Sequence, residues 1–323
     1  MGSDLLLQLR PATMEDVGLV AALETAVTPD DPRDPELLAF WWKHAPGAEV
    51  SARWIAEREG AALIYVSGTH GELKEGARFG SIRVRIRPDH WTHQACLDGI
   101  ERAEGWLRTE GVETSFVRIR EDLDRDIRVL TGVGYREVRR SRVWNLDLAR
   151  GRDRLLAEAA RTRAEMKKQG IRVLTLDRDD DPEKLRQLYA LDLEASDDVP
   201  KTVPWPVPAF EEWLRLMFEH PAHREDRMWI AREGDAIVGV SFLGYPPRVG
   251  IPWTSFTATA RSVRGRGIAR ALKYETIAQA IALGISRVHT DNDAENEPIL
   301  HLNQEMGYEA VTPVLELHRE LGA

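Results

Sequence analysis

The chain carries one cysteine in 323 residues, so Cys96 has no partner for an internal disulfide and no cysteine-rich zinc site can assemble. A small buried apolar role fits it. No uninterrupted apolar stretch approaches the ~20 residues of a membrane span. The opening MGSDLLLQLR lacks the charged leader and long apolar core of a signal peptide, and Leu6 breaks the myristoylation pattern, so a cytoplasmic protein without a membrane partner is expected. A basic excess is also missing. With 44 Lys and Arg against 53 Asp and Glu, the net charge of −9 argues against non-specific nucleic-acid binding. His90, His93, His220 and His223 show no metal-ligand spacing, so no metal is expected.

What is present is enough apolar content, 43%, for about two domains of ~150 residues each. Against the acidic background stands the run RGRGIARALK at 264–273. Gly265 and Gly267 let backbone N–H groups converge on an anion, and the helix that follows leaves its first N–H groups without intrahelical partners. Arg261, Arg264, Arg266, Arg270 and Lys273 surround the loop with no acidic residue between them. Together with the helix dipole they describe a pyrophosphate cradle.

The chain repeats in spacing. Gly111 and Gly284, Gly134 and Gly307, and Tyr135 and Tyr308 are each 173 residues apart, a period of a whole domain. The second half reads as strand 171–176, helices 182–195 and 208–219, and strands 228–232, 236–244 and 254–260. The loop, a helix to 283, a strand 287–290, a helix 296–306 and a strand 311–317 complete it. Ile268, Ala271, Leu272, Ala278, Ile281 and Ala282 form one apolar stripe of the post-loop helix, which leaves Arg270 and Lys273 to solvent. The first half repeats this order, with strands at 53–56, 62–66, 81–86 and 114–119. Residues 148–169 read as a charged connecting helix closed by Gly170.

Shifting the loop by 173 lands on Trp91, Thr92, His93, Gln94, Ala95 and Cys96, so both glycines and both arginines are gone from the first half. Asn292, Asn296 and Asn303 become Ile119, Leu123 and Leu130. The first half therefore reads as a structural copy without the anion site.

The run RGRGIARALK matches the R-x-x-G-x-A acyl-CoA loop of GCN5-related N-acetyltransferases (GNAT), and TDNDAENEPILHLNQEMGY at 290–308 resembles that family's closing segment. The resemblance implies a mixed α/β fold of two tandem GNAT-like domains, each a mostly antiparallel sheet flanked by helices. Residues 1–147 would be the degenerate copy, 148–170 the connecting helix and 171–323 the copy with the intact loop. It implies acetyl-CoA as co-substrate in a V-shaped opening between the 254–260 and 287–290 strands. Pantetheine would pair with the backbone of Thr257, Ala258 and Thr259. The pyrophosphate would rest on Arg266, Gly267, Ile268 and Ala269, with Arg264 and Gly265 shaping the turn and Arg270, Asn292 and Asn296 completing the set.

The family's tyrosine acid falls on Asn303, which can donate a hydrogen bond but is no useful general acid near neutral pH. Tyr308 fills the final aromatic position, as core rather than catalyst. The implied reaction is direct attack of an amine on the thioester in a ternary complex. The acidic run Asp192, Glu194, Asp197 and Asp198 offers a base or an attraction for a cationic amine, with Asp198 singled out, or else a solvated helix end. Trp205 and Trp213 wall that pocket or anchor the core, and His289 is a base or a satisfied strand histidine. The acceptor is a small-molecule or peptide amine. Two other readings stay open: a CoA-responsive module without catalysis, and a Rossmann site from Gly265 and Gly267 with Asp291, which Arg270 in place of the third glycine opposes.

Overall fold

The computed structural model describes residues 9–44, 50–71, 78–198, 202–203, 208–294 and 296–322. The first half runs β1 (Arg10–Pro11), α1 (Val17–Val27), α2 (Pro35–Lys43), β2 (Val50–Arg58), β3 (Ala61–His70), β4 (Phe79–Ile86), α3 (His93–Thr109), β5 (Thr114–Arg120), α4 (Asp124–Gly132) and β6 (Arg136–Asp147). The connecting helix α5 (Arg152–Lys168) follows. The second half runs β7 (Ile171–Thr175), α6 (Lys184–Asp197), α7 (Phe210–Phe218), β8 (Met228–Glu233), β9 (Ala236–Gly244), β10 (Trp253–Thr259), α8 (Ile268–Ala282), β11 (Arg287–Asp293), α9 (Glu297–Met306) and β12 (Glu309–Glu320). The spacing of 173 is kept to the residue at both ends of β5 and β11 and of β6 and β12. Gly111, Gly134, Gly284 and Gly307 all sit in the left-handed region.

The described strands form one sheet in the order β1-β2-β3-β4-β5-β12-β6-β11-β10-β9-β8-β7. Only β4 with β5 and β10 with β11 run parallel. The final strand of each half lies in the sheet of the other: β12 pairs with β5 from Val314↔Arg120 to Glu320↔Thr114, and β6 pairs with β11 along its whole length, Arg287↔Asp147 to Asp293↔Ser141. A period-2 pattern fixes which face of a strand is buried but not which strand lies beside it, so this exchange has no signal in the alternation.

Side-chain bonds fasten the exchange. Glu104 on α3, 2% exposed, accepts from Arg319 on β12 at 2.9 Å and from the Tyr135 hydroxyl at 2.9 Å. Asp34, also 2% exposed, caps α2 through the N–H groups of Glu36 and Leu37 at 2.8 and 3.2 Å. Its other oxygen accepts from the N–H groups of Arg248 and Val249, at 2.7 and 3.0 Å, in the β9–β10 connection. One carboxylate thus joins both halves, and these four donors hold its pKa below the usual range against the opposing effect of burial.

Helix α5 places Leu155, Ala159, Thr162 and Met166 in the interior and lies across α8, where Arg163 pairs with the buried Glu275. α8 is therefore covered on both sides, by the sheet and by α5. This corrects the expectation that Lys273 stays in solvent: it is 2% exposed, and Arg270 is half-buried beside Glu305. Cys96 is buried as expected, and burial pushes its thiol up to about 12.

Candidate active site

β10 and β11 pair at Trp253↔His289 and then part, β10 staying with β9 and β11 with β6. A cavity of about 810 Å³ fills the opening. Thr254 to Thr257 line it from β10, Thr290 to Asp293 from β11, Lys273 from α8, and Asp192 and Ser196 from α6. The Thr257 hydroxyl is fixed by Ser241 at 2.8 Å. Ala258 packs into the core, while Thr257, Ala258 and Thr259 pair with β9 at Ser241, Val240 and Gly239 and leave their β11-facing edge without a strand partner. An extended amide chain can bond to such an edge.

At the wide end, Gly265 and Gly267 have φ of 76° and 82°, a conformation L side chains resist. Gly267 is the N-cap of α8 and supplies no side-chain cap; the N–H of Ala271 is the one that folds back on the Gly267 carbonyl, at 3.0 Å. The N–H groups before it in the first turn have no intrahelical acceptor. A Cβ at Gly265 meets nothing within 4 Å, and one at Gly267 only the Met166 methyl at 3.9 Å, so the surface above the loop is open. Ile268 is core, and Ala269 is partly exposed on the first turn.

Every loop arginine has an acidic partner drawn from elsewhere in the chain. Asp198 binds Arg261 at 2.7 Å and also Arg264, Arg266 binds Glu233 at 2.9 Å, and Arg270 binds Glu305. The cradle is thus less positive than its sequence. The two arginines hold the Asp198 carboxyl down to about 2, which makes it a weak base, and it stands at the loop rather than in the cavity wall. Of the same acidic run, Asp192 does line the cavity, accepts from Trp213 Nε1 at 2.6 Å and is raised above the usual carboxylate range by burial. Trp213 is core, 3% exposed. Trp205 lies outside the described residues.

Asn292 and Asn296 line the cavity. Asn303 is fully buried behind them, with Nδ2 donating to Asn292 Oδ1 at 2.6 Å. Tyr308 is 4% exposed, and burial raises its hydroxyl pKa. His289 borders a second cavity of about 300 Å³ with Asp31 and Trp41, and burial lowers its pKa. His223 Nε2 lies 3.1 Å from Ser255 Oγ and Nδ1 3.0 Å from the Met217 carbonyl; burial brings it down to about 4, so it is neutral. No group of His, Cys, Asp and Glu able to hold a metal occurs among the described residues.

Lys273 was missed as a cavity residue. Its signal was available: it lies between Leu272 and Tyr274, and the residue 173 positions earlier is Ile100, an apolar residue in the same helical register.

The profile of the acetyltransferase (GNAT) family matches residues 183–308. No curated protein sequence matches the chain. Among solved structures, a tandem GNAT protein from the clavulanic acid biosynthesis pathway aligns over 98% of both chains at TM-score 0.73 and 15% identity. A GCN5-related N-acetyltransferase from Sphaerobacter thermophilus aligns over 98% of this chain and 96% of its own at 0.67 and 21%, and FemX over 97% of both at 0.59 and 10%. At these identities the structures show the shared fold. Residues 183–308 match the acetyltransferase (GNAT) family model, and the chain as a whole shares the fold of a tandem GNAT protein.

Proposed function

We propose that the protein is an N-acetyltransferase that moves acetyl from acetyl-CoA to a primary amine of a small molecule or peptide, with its active site in the second half, residues 171–323. The observation that carries this reading is the 810 Å³ opening between β10 and β11 with an uncapped, left-handed glycine loop at its wide end. Residues 1–147 form the copy without a site, joined by 148–170.

The first-turn N–H groups from Arg266 to Ala269 hold the diphosphate, and the open edge of Thr257 to Thr259 pairs with the pantetheine amides. The coenzyme supplies the acyl thioester. Asp192 takes the role of base or of counter-charge for a cationic amine, because burial lifts its proton affinity and its side chain borders the cavity. Asn303 orients Asn292 and contributes hydrogen bonding rather than a proton. No covalent enzyme intermediate is invoked, and attack within a ternary complex needs chiefly positioning.

The buried amide at Asn303 favours a second reading, a CoA-binding module without turnover. Free-thiol release from acetyl-CoA across a panel of amines separates the two. Turnover of any amine supports the enzyme, whereas saturable stabilisation by CoA with no turnover across the panel supports the module.

A further inference from the structure

Lys273 is a buried cation with no counter-charge among the described residues. It is 2% exposed, lines the wedge cavity, and makes no ion pair among the described residues; its Nζ stands 5.4 Å from the centre of the Tyr308 ring. The Tyr308 hydroxyl faces Thr254, next to the Trp253↔His289 pair that closes the wedge. The ammonium therefore sits towards the narrow end. A coenzyme anchored by its diphosphate at the wide end and threaded between the strands presents its sulfur there.

We propose that Lys273 is the proton donor to the departing coenzyme thiolate, the task that the amide at 303 cannot perform. This rests on the acyltransferase reading of the same cavity. The acceptor nitrogen forms the amide bond to the acyl carbon and releases a proton to solvent. The carbon–sulfur bond breaks with its electron pair on sulfur. The Lys273 ammonium gives that sulfur a proton, and the neutral amine regains one from solvent.

Three observations support the assignment. Burial alone lowers the lysine to about 8, close to an alkyl thiol at about 8.5, so proton transfer between the two is nearly balanced. The other charged groups bordering the cavity are Asp192 on α6, Arg118 on β5, Arg139 on β6, Asp291 and Asp293 on β11 and Glu316 on β12. None of them perturbs Lys273. On the opposite side of α8, Glu275 is held by Arg163 of α5. Finally, Ile100 fills the equivalent place in the first half at 2% exposure, so packing there needs no charge.

The test compares wild type with Lys273→Met and Lys273→Arg, an apolar replacement in a buried position being compatible with folding, as thermal unfolding checks. The thiol of enzyme-bound CoA is titrated by its ultraviolet thiolate absorbance. In wild type the midpoint is expected at least about one pH unit below that in Lys273→Met. With an amine found by the panel, Lys273→Met is expected to lower kcat by roughly 100-fold, leave KM within a few-fold and lose the fall in kcat above about pH 8. Lys273→Arg keeps the charge but loses a usable proton, and is expected to lower the thiol midpoint without restoring kcat. Equal midpoints in wild type and Lys273→Met, with normal CoA affinity, overturn the role of Lys273 and leave the acyltransferase reading standing. Failure of wild type to bind CoA overturns the site itself and the inference with it.

Discussion

The two halves share a frame and differ in what they turn towards the gap between their parallel strands. In the second half the gap is faced by Thr257, Lys273, Thr290 and Asn292, with Asn303 behind. At the same positions less 173, the first half has Val84, Ile100, Val117, Ile119 and Leu130, and these enclose about 20 Å³ instead of about 810 Å³. The helix ends differ in the same sense. α8 begins at a left-handed glycine with no side-chain cap, whereas α3 begins at Thr92, whose hydroxyl accepts the Ala95 N–H at 3.1 Å. Trp91 beside it is held by Asp126 at 3.3 Å and covered by Arg125. The first copy satisfies from within the helix-end groups that the second copy leaves open.

That contrast can be broken most forcefully at the loop. Gly267→Glu places a side chain on a φ of 82° and a negative charge above the first turn of α8, so CoA affinity is expected to fall by at least about 100-fold. Gln94→Glu, at the corresponding place in the first half, is expected to leave it unchanged. Calorimetric titration with CoA measures both, and a large loss from Gln94→Glu would show that the first copy binds too.

The buried position on the helix gives the next largest effect. Ile100→Lys is expected to destabilise the fold by about 4 kcal/mol, because its surroundings offer no space for hydration. Lys273→Met is expected to stabilise it at neutral pH. The folded pKa of Lys273, about 8, lies below its unfolded value of 10.5, so wild-type stability from this group is present above 10.5 and lost as pH falls through 8. The advantage of Lys273→Met is then about 3 kcal/mol below pH 8 and vanishes by pH 10.5, which denaturant unfolding across that range reads. A pH-independent difference would mean that the lysine is hydrated.

Smaller effects sharpen the picture at the helix caps and on the surface. Thr92→Ala is expected to cost about 1 kcal/mol in unfolding experiments and to leave CoA binding alone. Asp198→Asn weakens the pairing that occupies Arg261 and Arg264 and is expected to tighten CoA binding by less than about tenfold, more at low salt than at high.

Much of this contrast was legible in the sequence because its carriers are unambiguous locally. Two glycines one residue apart before a helix mean a left-handed turn, and the 173-residue spacing of glycines and tyrosines aligned the halves before any strand was seen. Lys273 was misplaced because a single apolar stripe implies one covered face, whereas α8 is covered on two: Glu275 meets α5, and Lys273, on the opposite side, faces the cavity and Tyr308. The acids that meet the loop come from distant segments, Asp198 more than sixty residues before Arg261, and no local pattern announces such a partner. Asp192 and Asp198 are six residues apart, yet one is raised and the other lowered, because one points into the cavity and the other onto two arginines.

The exchanged strands make the first half indispensable to the second. One lip of the large cavity is β11, and along its whole length it leans on β6, a strand encoded before residue 148. Expressed alone, 171–323 would carry that lip as a bare edge and a β12 whose neighbours on both sides are missing. Removing residues 1–147 would therefore unseat β11 and β12, the two strands through which the second half joins the shared sheet.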